Sequence, residues 1–223
     1  VTLAEILDQL EAFYGRQEVT WPTDPYQFIV WWHCGYPASD AACAKGWAEL
    51  QKIGVEPRDL LEADPKKVAA ALKAGGMVPE LRALRLKEIA QRAERGFAVT
   101  RADLKKFSNI ADPGADRILL FSGKAPIAAV PSNVPHVAVR IFRSKERENY
   151  GVTYRQAQEL IERDVPETRD ARERAFLLLK RHGQEICKRT NPKCAACPIK
   201  EHCRYAAKSA FDAGAGTGVG AGV

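Results

Sequence analysis

Four cysteines near the C-terminus, Cys187, Cys194, Cys197 and Cys203, stand in the spacing C-x6-C-x2-C-x5-C. The run is polar and too short to fold on its own, so thiolates gathered this tightly point to a shared metal. Disulfides are disfavoured, because Val1 to Tyr14 is charged and helix-like rather than a signal peptide. Structural zinc usually takes its ligands as two short-spaced pairs, and here only Cys194 and Cys197 form one. Four thiolates also hold iron-sulfur clusters, whose spacings include irregular runs of this kind. Spacing alone implies a metal and leaves zinc and cluster open. Cys34 and Cys43 lie outside the pattern and are expected to pack as small apolar residues.

The chain has 223 residues, enough for one generous core or two modest ones, and 46% of them are hydrophobic without any run of membrane-spanning length. A soluble protein with no membrane partner is expected. The net charge of +6 is unevenly spread: residues 1–139 hold 17 basic and 17 acidic residues, whereas 140–208 hold 17 basic against 10 acidic. The surplus coincides with the cysteine segment, which makes the C-terminal third the part that faces a polyanion.

Helical periodicity dominates and no run alternates with period two, so the expected class is all-α. Helices are expected over Thr2–Tyr14, Tyr26–Cys34, Asp40–Ile53, Asp64–Ala74, Glu80–Ala93, Arg101–Lys106 and Pro113–Ser122. After a loop from Gly123 to Val130 they resume at Asn133–Phe142, Thr153–Arg163 and Thr168–Arg181. Residues 213–223 are a Gly/Ala tail with nothing to pack, expected to be flexible.

The segment "HGQEICKRTNPKCAACPIKEHC", with Lys188, Arg189, Lys193 and Lys200 among or beside the cysteines, resembles the [4Fe-4S] loop of the endonuclease III family in the helix-hairpin-helix DNA glycosylase superfamily. The likeness runs upstream to about Asp24. It implies a [4Fe-4S] cluster on Cys187, Cys194, Cys197 and Cys203, and a two-domain fold. A six-helix domain would span residues 22–139, with the hairpin at about 104–122. A cluster domain would combine 1–21 with 140–212. The implied partner is damaged double-stranded DNA, bound by a monomer, and the implied setting is cytoplasmic and nucleoid-associated.

The hairpin resembles h-x-x-h-x-G-h-G-x-x-x-A, with Leu104, Phe107, Ile110 and Ala115 in register. In the family the two glycines let backbone N–H groups approach a DNA phosphate. Here those positions hold Asn109 and Ala111, and an alanine forced to positive φ would distort the turn. Asp112 is expected to cap the second helix, followed by proline. The resemblance makes Lys105, Lys106, Asn109, Ala111, Gly114, Lys188, Arg189 and Lys193 the candidate DNA contacts.

Two departures stand at the catalytic positions. Relatives that cleave abasic sites resemble G-V-G-R-K-T-A, whose lysine attacks the sugar C1′; this chain reads "IADPGA", with Pro113 in the lysine's place. Relatives also resemble V-D-T-H or V-D-S-N, whose aspartate stabilises positive charge on the sugar; this chain reads Val130-Pro131-Ser132-Asn133, with Pro131 in the aspartate's place. Proline offers neither a nucleophile nor a titratable group. Tyr36, Asp112, Ser132, Asn133 and His136 remain as weak catalytic candidates. Asp40 and Asp116 are better explained by caps or ion pairs, and Lys124 is the nearest other amine. "VWWHCGYPASD" matches the region that forms one wall of the base pocket, here Trp32, His33, Tyr36 and Pro37, with Trp31 read as core. Two functions are implied. One is a monofunctional glycosylase that excises a damaged base without lyase activity; the other is a non-catalytic DNA-binding protein on the same scaffold.

Overall fold

Helix starts follow local side-chain chemistry. In the computed structural model, which describes residues 1–35 and 37–215, helix α1 (Leu3–Tyr14) opens on a capping box in which the Thr2 hydroxyl accepts from the Glu5 N–H and the Glu5 carboxylate accepts from the Thr2 N–H. Asp24 caps α2 (Pro25–His33), Ser39 caps α3 (Asp40–Gln51) and Asp64 caps α5 (Pro65–Leu72), which follows the short α4 (Pro57–Glu62). Proline in the first turn of α2, α4 and α5 loses nothing, because the N–H it lacks has no partner there anyway. The chain continues through α6 (Pro79–Glu94), α7 (Arg101–Leu104), α8 (Asp112–Phe121), α9 (His136–Arg143), α10 (Tyr150–Asp164), α11 (Arg169–Glu185) and α12 (Arg204–Ala215). No strand occurs among the described residues, in keeping with the all-α expectation, and no helix there is long and apolar enough to cross a membrane.

Several bounds differ from the sequence expectation. The α4 helix is too short for its periodicity to register. Asn149 caps α10 and starts it at Tyr150 instead of Thr153. The tail expected from residue 213 begins inside α12, and its remainder, 216–223, lies outside the described residues, as does Tyr36.

The chain forms two units, Val1–Val19 with Pro126–Val223, and Thr20–Ala125. The first divides from the second before α9, not after Val139 as expected. Val137, Ala138, Val139 and Ile141 of α9 are buried in one cluster with Leu3, Ile6, Leu7 and Leu10 of α1, and with Ala157, Leu160, Ile161, Leu178 and Leu179 of α10 and α11. Burying one such side chain is worth about 1.5–3 kcal/mol, so the four from α1 tie the N-terminal helix firmly to this unit.

In the second unit α6 packs on α4 and α5, while α2 packs on α3, α6 and α8. Beneath them lies Arg82, 1% exposed, whose guanidinium donates only to carbonyls: Met77 (2.9 Å), Leu72 (2.9 Å), Gly76 (2.6 Å) and Cys34. It fixes the connection into α6, where Val78 sits at φ +50°, a left-handed conformation unusual for a β-branched residue. Cys34 and Cys43 are buried here as expected, both thiols raised by burial.

Candidate DNA interface and cysteine loop

The hairpin joins α7 to α8 in the second unit. Leu104, Phe107, Ile110 and Ala115 are all buried, as the pattern requires. Asn109 takes the left-handed conformation (φ +59°), but Ala111 is extended (φ −97°, ψ −172°), so the strain expected at Ala111 does not arise. Nor does Asp112 cap the helix: Ala111 occupies the cap without a side-chain bond, and Asp112 is the first helical residue. There it meets the positive end of the helix dipole and Lys105 Nζ at 2.6 Å. Lys106 pairs likewise with Asp103. These pairs are solvent-exposed and worth at most about 1 kcal/mol, so either lysine is free to trade its carboxylate for a phosphate.

The other carboxylates near the hairpin each have a cation too. The buried Asp116 has Arg101, and Asp40 has Arg117 at 2.8 Å. Arg117, on α8, is walled by Trp21, Phe28, Trp31 and Trp32, with its guanidinium 3.8 to 5.8 Å from their ring centres. Sequence reasoning missed this enclosure, although the aromatic density from Trp21 to Trp32 was visible. It occupies Trp32, 7% exposed, and with Trp31 makes both plain core aromatics.

His33 is buried too, at 1% exposure, and its ring reaches the hairpin: Nδ1 lies 2.7 Å from the Ile29 carbonyl and Nε2 lies 2.8 Å from that of Ser108. Of the residues named for a base pocket, Trp32 and His33 are therefore packed inside, Pro37 is exposed, and Tyr36 lies outside the described residues. An unforeseen apolar surface lies at the entry to α6, where Met77 is 84% exposed and Val78 54%, beside Leu81 and Leu84.

In the first unit, Pro131 is buried, Ser132 half-buried and Asn133 exposed. The Ser132 carbonyl accepts from the Tyr150 hydroxyl at 3.1 Å. His136 turns away from solvent: its Nε2 lies 2.8 Å from the Cys187 carbonyl, and burial pushes its pKa down. It supports the cysteine loop and makes no outward contact for a phosphate or a reacting sugar.

That loop folds as two short 3-10 turns, Cys194–Ala196 and Lys200–His202. Arg140, on α9, holds it by donating to the carbonyls of Lys188 (2.9 Å) and Arg189 (3.0 Å) while gripping Glu146 bidentately (2.8 and 2.6 Å). Lys188, Arg189 and Lys193 are exposed, and no ion pair among the described residues involves them. All four cysteines are free and half-buried, and Cys187, Cys197 and Cys203 pack against the apolar core. Burial raises the Cys187 thiol to about 12 despite the opposing pull of Arg140, and it raises Cys194 and Cys197 as well. Cys203 acts electrostatically on each of the other three, so the four share one neighbourhood. Among the described residues no three His, Cys, Asp or Glu groups form a set that could hold a single metal ion. Four cysteine thiols are a donor set whose chemistry fits an iron-sulfur cluster, as it would fit zinc.

No protein-family model matches the chain. Endonuclease III of Thermotoga maritima is 24% identical over 187 residues, covering 82% of this chain and 84% of that protein. Among solved structures, a non-covalent endonuclease III–DNA complex superposes with a TM-score of 0.75 at 15% identity, covering 94% of this chain and 97% of that one. A thermostable thymine-DNA glycosylase gives 0.75 at 20% identity, covering 92% and 96%. Sequence and fold thus point the same way: the chain is similar in sequence to an endonuclease III and shares the fold of endonuclease III and of a thymine-DNA glycosylase.

Proposed function

We propose that this protein is a monofunctional DNA glycosylase that binds duplex DNA, turns a damaged base out of the stack and hydrolyses its glycosidic bond without cutting the strand. The observation that carries this reading is the hairpin, with Asn109 left-handed, α8 capped at Ala111 without a side-chain bond, and two lysines in exchangeable pairs. Such a turn offers amide N–H groups and a helix dipole to one phosphate. Met77 and Val78 suit an apolar wedge that fills the space a flipped base vacates, since strain at an exposed apolar residue tends to accompany function.

Without an aspartate at position 131, charge on the departing sugar has less support, which costs about 100- to 1,000-fold in rate. Stable pyrimidines then react too slowly, whereas a base that is already a good leaving group is still released. Ser132 and Asn133 are the polar side chains of the loop available to order a water, beside the Tyr150 hydroxyl of α10, which donates to the Ser132 carbonyl. Cys187, Cys194, Cys197 and Cys203 would hold a [4Fe-4S] cluster, whose contribution is to fold the basic loop that bears Lys188, Arg189 and Lys193.

Excision assays over a panel of damaged duplexes test the enzyme reading: one or more bases should be released with the strand left intact. The buried Pro131 favours the second reading, a non-catalytic lesion-recognition protein, and tight binding with no excision on any duplex would establish it. The cluster has its own test. Protein prepared anaerobically should be brown and carry four iron and four sulfide per chain; stoichiometric zinc instead would overturn it.

A further inference from the structure

His182 lies near the end of α11, five residues before Cys187, with its ring 1% exposed. Both ring nitrogens are engaged. Nδ1 is 3.0 Å from the hydroxyl oxygen of Tyr14, the last residue of α1, and Nε2 is 3.7 Å from Cys197 Sγ. Gly183 presses so closely on Val134 that an added Cβ would lie 2.5 Å from that side chain, so the backbone carrying the ring has little room to shift.

Given the cluster reading above, on which this inference rests, we infer that Tyr14 and His182 form a directed hydrogen-bond relay that orients Cys197 as a ligand and raises the reduction potential of the cluster. The direction follows from the ligand. A metal-bound thiolate has no proton to give, so an unprotonated Nε2 would set one lone pair against another. Whether the ring is neutral or charged, Nε2 must therefore carry a proton and donate it to sulfur. In the neutral ring this leaves Nδ1 as the acceptor, and the Tyr14 hydroxyl must donate. Tyr14 thereby selects the tautomer, the task that outer groups perform for metal-bound histidines.

An N–H···S bond withdraws electron density from the thiolate. It stabilises the cluster that has accepted one electron more than the one that has not, and hydrogen bonds to sulfur are among the factors that set cluster potentials. The thiols differ in this respect. Cys187 has the Arg140 guanidinium as its neighbour, whereas Cys203 Sγ faces the Arg140 carbonyl at 3.8 Å, which has no proton to offer. The relay gives Cys197 a neutral donor of its own.

The test is direct electrochemistry of the full-length, iron-loaded protein beside Tyr14→Phe and His182→Phe, with iron and sulfide counted in each. His182→Phe should shift the oxidised-to-reduced ratio about tenfold towards the oxidised form, a fall of about 59 mV for one electron. Tyr14→Phe, which keeps the ring and frees its tautomer, should move the potential the same way by less. Loss of iron from either variant with helical content retained would support the orienting role. Full iron and the wild-type potential in Tyr14→Phe, and in His182→Phe where it folds, would overturn the relay and spare the cluster. Wild-type protein without iron would overturn both.

Discussion

Arg117 holds its guanidinium 3.8 Å from the ring centre of Trp21 while Asp40 grips the same group at 2.8 Å. A buried cation is tolerated here because a carboxylate and four aromatic faces share the cost of removing it from water. Asp40→Ala is expected to destabilise the protein by about 3–5 kcal/mol, because it leaves that cation without its counter-charge. Arg117→Met, which removes the charge and keeps an apolar stem, should cost less. Urea unfolding of the two variants decides the order, and a costlier Arg117→Met would mean that packing outweighs charge.

Exposed cations of the cysteine loop should act on DNA without regard to sequence. Replacing Lys188, Arg189 and Lys193 together by Ala is expected to weaken binding to every duplex alike. It should also flatten the dependence of log affinity on log salt by about 0.9 for each phosphate that the loop ceases to neutralise. Binding isotherms at several salt concentrations measure this, and an unchanged slope would show that the loop does not meet the backbone.

Burial, its largest influence, and the nearby Arg85 hold His33 below its usual value of 6.5, against the pull of the Ile29 and Ser108 carbonyls. The folded chain thus keeps the ring neutral where the unfolded chain would protonate it. The stability this group contributes is complete above pH 6.5 and is lost as pH falls below it. Urea midpoints measured from about pH 7.5 down to about pH 5 should decline, and His33→Gln should decline less steeply over the same range. Parallel curves would mean that the ring charges equally in both states.

Abasic-site cleavage is expected to be absent. Pro113 offers no amine, and Lys124 follows the far end of the ten-residue α8, about 15 Å from its start. Borohydride trapping on abasic duplex should give no covalent adduct. A strong adduct that survives Lys124→Ala would reveal an amine elsewhere.

Much of this was legible in the chain itself. Thr2, Asp24, Asp64 and Thr168 announce helix starts because a cap is a contact within three residues. The cysteine spacing and the apolar register of the hairpin are likewise local patterns. What stayed hidden depends on distant contacts. His136 reads as a basic residue beside a catalytic loop, yet it bonds to Cys187, 51 positions away. Trp32 and His33 read as a pocket wall until Arg117 and Ser108, from the hairpin, occupy their polar surroundings. Ala111 escapes strain because only Asn109 turns left-handed, a choice that a glycine-based pattern does not reveal.

Arg82 has a consequence for how the Met77 surface would meet DNA. Lysine has three donors on a single nitrogen and could not reach four carbonyls set around a planar fork, so this position requires arginine. Two of those carbonyls, Gly76 and Met77, belong to the turn that displays the exposed Met77 side chain. The apolar tip is thus presented on backbone that is already immobilised, and inserting it would spend little further conformational entropy: the ordering is done when the chain folds, before any duplex arrives.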